Sequence, residues 1–143
     1  MKRILVLNGP NLNRLGTREP EVYGSDTLDD IAGRLHEQAA RLEVGIDVRQ
    51  SNHEGHLIDW LHEAADTGLH AVILNAGGFT HTSVALRDAI SAIAVPVIEV
   101  HLSNPAARES FRRRSLISGV CAGVISGFGA DSYTLALDAA ARL

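Results

Sequence analysis

Short apolar runs alternate along this chain with stretches in which apolar residues recur every three or four positions. Arg3–Leu7 is a run of the first kind. It stops at Asn8-Gly9-Pro10, a combination that ends a strand. From Thr27 the period changes. Leu28, Ile31, Ala32, Leu35, Ala39 and Leu42 form one helical stripe, and Asp29 and Asp30 sit in its first turn, where the helix dipole favours acids. Ile46–Gln50 predicts a second strand, and Leu57, Ile58, Leu61 and Ala65 a second helical stripe. His70–Leu74 predicts a third strand, Ser83–Ile93 a helix and Pro96–Val100 a fourth strand. Asn104-Pro105 predicts the start of a short helix, since asparagine caps well and proline suits the first turn. Val120–Ile125 predicts a weaker fifth strand and Asp131–Arg142 a closing helix.

Strands that alternate with helices imply a parallel sheet covered on both faces. Right-handed crossovers leave few topologies, and a flavodoxin-like doubly wound sheet of order 2-1-3-4-5 is the expectation. No linker, low-complexity stretch or internal repeat interrupts the pattern, so residues 1–143 are expected to form a single catalytic domain.

Composition narrows the function classes. The chain is 45% hydrophobic and 21% charged, which argues against disorder. Thirteen Lys and Arg against seventeen Asp and Glu give a net charge of −4, the wrong sign for nucleic acid or an anionic membrane. Aromatic residues, at 4%, are too few for a base-stacking surface. The apolar run after the basic N-terminus, Ile4–Leu7, is too short for a secretion signal, and no stretch matches a membrane span. Cys121 is the single cysteine, expected as a buried inert thiol. These features fit a reducing cytoplasm.

In such sheets the ligand sits beyond the carboxyl ends of the strands. There the chain places Asn8, Asn11, Asn13, Arg14, Arg18 and Tyr23 after the first strand, and Ser51, Asn52, His53 and Glu54 after the second. Asn75, Gly77, Gly78, Thr80 and His81 follow the third, and His101, Ser103 and Asn104 the fourth. The loops at the opposite edge, near Val44-Gly45 and Thr67-Gly68, are short and plain. The stretch from Asn8 to Gly24 exceeds a mere connection and predicts a lid, with Gly9, Gly16 and Gly24 as candidate hinges. Gly16-Thr17-Arg18 is no phosphate loop, because no Gly-Lys-Ser/Thr follows, and Asn75-Ala-Gly-Gly lacks dinucleotide spacing. Seven histidines invite a metal reading, but only His53 and His56 are closely spaced and no HExxH or Cys/His set appears. His36 and His62 are expected on helix surfaces, His70 before a strand, and His81 and His101 at strand ends on the active edge.

Leu7-Asn-Gly-Pro-Asn-Leu-Asn13, Gly16-Thr-Arg-Glu-Pro-Glu-Val-Tyr-Gly24 and Gln50-Ser-Asn-His-Glu-Gly55 are followed by Asn75-Ala-Gly-Gly-Phe-Thr-His-Thr-Ser-Val-Ala-Leu86. Glu99-Val-His-Leu-Ser-Asn104 and Arg108-Glu-Ser-Phe-Arg112 complete the series. In residues and in order the set closely resembles type II 3-dehydroquinate dehydratase, along essentially the whole chain. The resemblance implies a hydro-lyase without metal or cofactor that removes water from 3-dehydroquinate by anti elimination through an enolate. It implies Tyr23 as the base, His101 as the acid for the departing hydroxyl, Arg18 as the lid residue favouring the tyrosinate, and Asn11 as the holder of a water at the enolate oxygen. It implies Asn75, His81, Asp88, Leu102, Ser103 and Arg112 as substrate-binding residues. It further implies a homododecamer built from trimers, with the Asp88 position reaching a neighbouring subunit's site. The chain departs from common family members at Ala106, at Arg113-Arg114 and at Asn75-Ala76, none of which is a transferred catalytic residue.

The residues themselves carry compatible chemistry. Taking a proton beside a ketone needs a base, an enolate stabiliser and an acid. A free phenol, with a pKa of ~10, is a poor base at neutral pH, and a guanidinium in a water-excluding lid favours its anion. Glu99 and His101, two apart on a strand, share a face, so a carboxylate there can orient the imidazole and keep it protonated. Two other classes compete: a nucleotide- or flavin-binding module on the same fold, and a metal-dependent hydrolase using His53, His56, His81 or His101. A role in quinate breakdown would use the same reaction.

Overall fold

The computed structural model describes residues 1–17 and 19–143. Five parallel strands, β1 (Arg3–Asn8), β2 (Gly45–Gln50), β3 (Ala71–Asn75), β4 (Val97–His101) and β5 (Gly123–Ser126), form one sheet. Their order is β2-β1-β3-β4-β5, the expected doubly wound arrangement. The helices are α1 (Pro20–Tyr23), α2 (Leu28–Leu42), α3 (Glu54–Asp66), α4 (Val84–Ala92) and α5 (Asp131–Arg142).

Side chains of a strand point alternately to the two faces, and the central strands are apolar on both. Ile4 and Val6 of β1, Ile73 of β3 and Ile98 and Val100 of β4 join α2 and α5 in one core. Leu5 and Leu7, Val72 and Leu74, and Val97 face the other way and pack with Leu57 and Leu61 of α3 and Leu86 and Ile90 of α4. β1, β3 and β4 are therefore locked in register from both sides, and their carboxyl ends emerge at fixed heights.

Local signals set the element ends. Thr27 and Asp30 form a reciprocal capping box at the start of α2. Ser83 Oγ accepts the Leu86 N–H at the start of α4. The helix predicted at Asn104-Pro105 is a three-residue 3-10 turn, Pro105–Ala107, because its carbonyl-to-amide bonds close at i+3 and the chain turns extended at Arg108. The fifth strand starts at Gly123 rather than at Val120, since residues 118–120 coil into another 3-10 turn. The helix α1 was not anticipated.

Candidate active site

The carboxyl ends of β1, β3 and β4 open into one cleft. Asn11, Tyr23, Asn75, His81, His101, Leu102, Ser103 and Arg112 all line it, together with Pro10, Gly77, Gly78 and Arg108. Residues from four separate stretches of the chain thus converge on one space at the edge where polar side chains crowd the sequence.

His101 closes β4. Its Nε2 lies 2.5 Å from Glu99 Oε2, and both side chains are buried. The other carboxylate oxygen of Glu99 accepts hydrogen bonds from Ser118 Oγ at 2.6 Å and Ser115 Oγ at 3.1 Å. Burial alone would push the Glu99 carboxyl up, but donation from His101 and Ser118, the charge of His101 and donation from Ser115 outweigh it. The group is held below the ordinary glutamate value.

The floor is built from two asparagines and a tyrosine. Asn75 Nδ2 donates to Tyr133 Oη at 2.9 Å, and Tyr133 Oη donates to Asn8 Oδ1 at 2.7 Å. Asn75 Oδ1 accepts the Gly77 N–H at 3.1 Å. Tyr133 is fully buried, and that burial pushes its phenol up, so it acts as a neutral strut. Above it the β1 and β3 loops touch: a Cβ on Gly9 would lie 2.6 Å from the Ala76 carbonyl oxygen. Gly9 is therefore a close-approach position and not the hinge expected of it. Gly16 and Gly24 do adopt left-handed φ values of 92° and 85°.

The stretch from Asn8 to Gly24 is anchored at one end, where Leu12 and Leu15 are buried in the core. Asn11 sits in the left-handed region, and its N–H donates to Asn52 Oδ1 at 3.0 Å. Tyr23, at the end of α1, lies half-buried with the Arg108 guanidinium 4.9 Å from its ring centre. His81 Nδ1 donates to the Arg114 carbonyl at 2.8 Å, which leaves Nε2 as an acceptor in the neutral ring. Arg112 pairs with Glu109.

A family model described as dehydroquinase class II matches residues 2–141. The chain belongs to this family. It is 57% identical to the 3-dehydroquinate dehydratase of Caulobacter vibrioides over 98% of this chain and 95% of that one. A crystal structure of type II dehydroquinase from Propionibacterium acnes superposes with a TM-score of 0.96, at 45% identity, covering 100% of this chain and 98% of that one. The type II dehydroquinase from Butyrivibrio crossotus gives the same TM-score at 40% identity, over 97% of each chain.

Of the residues expected at the site of a class II dehydroquinase, Asp88 does not line this cleft. Arg18 lies outside the described residues. Asp88 is exposed on α4, away from the cleft of its own chain. His81 belongs to the 3-10 turn Gly77–His81 and does not end β3, because the chain coils directly after Asn75. The residues after β2 mostly serve structure: His56 Nδ1 bonds Ser51 Oγ at 2.7 Å, and Glu54 accepts from Ser83. His53 and His56 pack edge to face, with Trp60 beyond. Among the described residues no three His, Cys, Asp or Glu side chains gather as a metal site. Cys121 is half-buried rather than fully buried, and burial followed by the Glu99 charge pushes its thiol up to about 12, so it is inert as a nucleophile. His36 and His62 lie exposed on α2 and α3, as expected. Arg108 is the cleft residue that sequence reasoning left without a role. Its signal was a cation in the segment after β4, on the active edge.

Proposed function

We propose that this class II dehydroquinase removes water from 3-dehydroquinate to give 3-dehydroshikimate, with residues 1–143 acting as one catalytic domain. The observation that carries the reading is the meeting of Tyr23, His101 and the asparagine floor in one cleft, with His101 backed by a buried, ionised Glu99. Tyr23, as tyrosinate, takes the proton from the carbon beside the ketone. The electron pair passes to the ketone oxygen as an enolate. The enolate then collapses and expels the hydroxyl, which leaves as water with the proton given by His101.

The surroundings support each step. The Arg108 guanidinium supplies positive charge at the ring on which the phenolate forms, and Arg18 adds to it from the lid. Asn11 holds a water at the enolate oxygen. Asn75 presents its remaining amide hydrogen to a substrate oxygen, and His81 Nε2 accepts from a substrate hydroxyl. Leu102, Ser103 and Arg112 bind further oxygens of the substrate. Neither metal nor cofactor enters this scheme. Asp88 completes the site of a neighbouring subunit in a dodecamer built from trimers, and the enzyme works in the cytoplasm. No helix among the described residues is long and apolar enough to cross a membrane.

The test is ultraviolet observation of the conjugated enone as it forms from 3-dehydroquinate after exhaustive chelation. Full activity is expected. A requirement for added zinc or magnesium overturns the scheme.

A further inference from the structure

Behind the cleft, the turn that leads into β5 brings two hydroxyl groups to the far oxygen of Glu99. We propose that Ser115 and Ser118 are positioning residues that keep the proton shared by His101 and Glu99 on the imidazole. The proposal rests on the reading of His101 as the acid.

The geometry divides the carboxylate into two ends. Oε2 faces His101 Nε2, and Oε1 receives both serines, Ser118 at 2.6 Å and Ser115 at 3.1 Å. The serines are held in these directions. Ser115 Oγ accepts the backbone N–H groups of Ile117 and Ser118 at 3.2 and 3.0 Å. A hydroxyl whose lone pairs are so used has its hydrogen left to give, and Glu99 takes it. The turn itself is pinned. Ile117 is fully buried, the Leu116 N–H donates to the Thr80 carbonyl at 2.8 Å, and Arg87 Nη1 donates to the Leu116 carbonyl at 2.6 Å.

Such clamping matters because a buried imidazolium–carboxylate pair has a competing form. The proton can pass to the carboxylate and leave two neutral groups, which low-dielectric surroundings favour. In that form the ring keeps only its Nδ1 hydrogen, and a neutral imidazole is a far weaker acid than imidazolium. A hydroxyl donor stabilises the carboxylate anion and not the neutral acid, so each serine biases the pair toward imidazolium. A hydrogen bond to a charged group shifts such an equilibrium by about tenfold or more. The ionisable neighbours of Glu99 are His101 on its own strand and Cys121 before β5, whose thiol stays neutral. Its register partners, Leu74 on β3 and Val124 on β5, are apolar. The serines therefore supply the polar contacts on that side.

The experiment compares the wild type with Ser118→Ala, Ser115→Ala, Ser118→Thr and His101→Asn, by steady-state kinetics and nitrogen-15 imidazole spectra. The His101 resonances are assigned by their loss in His101→Asn. Ser118→Ala is expected to lower kcat about tenfold with KM within twofold. At neutral pH its His101 signals should move from the imidazolium toward the neutral position. Ser115→Ala, which removes the longer bond, should move them less in the same direction and serves if Ser118→Ala does not fold. Ser118→Thr, which keeps the hydroxyl, should restore wild-type behaviour. Unchanged His101 signals in both alanine variants overturn the proposal, whatever happens to stability. Retained activity in His101→Asn overturns instead the assignment of His101 as the acid.

Discussion

Replacing Tyr23 by phenylalanine removes one oxygen from the cleft and leaves a ring of the same shape beneath Arg108. Packing should survive while the base is lost. A positioned base contributes about 10²–10⁴-fold in rate, so Tyr23→Phe should fold, bind product-like ligands and lose turnover by that factor. Near-normal turnover would show that the tyrosinate scheme is wrong. Arg18→Lys keeps a charge but loses the planar fork, and it should lower kcat far more than it raises KM in the same assay. Glu99 gives a prediction about pH. Its carboxyl is held below the ordinary value in the folded chain, so its contribution to stability is full above the unfolded glutamate value of ~4.3. That contribution is lost as pH falls through the lower folded value. Denaturant titrations should therefore find Glu99→Gln less stable than the wild type at pH 7, with the gap closing below about pH 4. A gap constant with pH would contradict the depressed carboxyl.

At the scale of elements, the strands that carry the site were legible because β1, β3 and β4 are buried on both faces and so read as unbroken apolar runs. The rule that ligands sit beyond the carboxyl ends of such strands then located Asn75 and His101 without any side-chain geometry. Helix α1 was not legible. Its four residues are too few to show a period, and its one signal is Pro20 at the first position. Arg108 escaped for a different reason. Its meaning depends on Tyr23, far away in the chain, and no local pattern records that contact. The capping box of α2 combines both kinds of information: the acids of the first turn were visible, and the structure adds the reciprocal bonds of Thr27 and Asp30. Thr27→Ala should lower stability by about 1 kcal/mol, read as a shift in the denaturation midpoint with activity per folded molecule unchanged. A shift near zero would mean that packing alone holds that end of the helix.

For the whole molecule, the position of Asp88 sets the main expectation. It is exposed on α4 and does not line its own cleft, which suits a residue that acts across a subunit boundary. Phe111 and Phe128 are also more than half exposed, at 61% and 65%, and apolar rings at the surface suit burial against other copies. Light scattering should give a mass many times the 15.3 kDa of one chain. Asp88→Ala should weaken substrate binding while leaving a chain that still folds. A fully active monomer would remove Asp88 from the site and the assembly from the scheme.

The Tyr133 strut also has a consequence for how the enzyme is made. Its bond to Asn8 spans 125 residues, nearly the full chain. During synthesis Asn8 leaves the ribosome long before Tyr133. Until α5 arrives, β3 and β4 present one face that lacks its cover, and the asparagines of the floor have no partner from that helix. Every nascent chain must therefore pass through a stage, before α5 emerges, that is sticky and inactive. The active site is finished only when α5 docks.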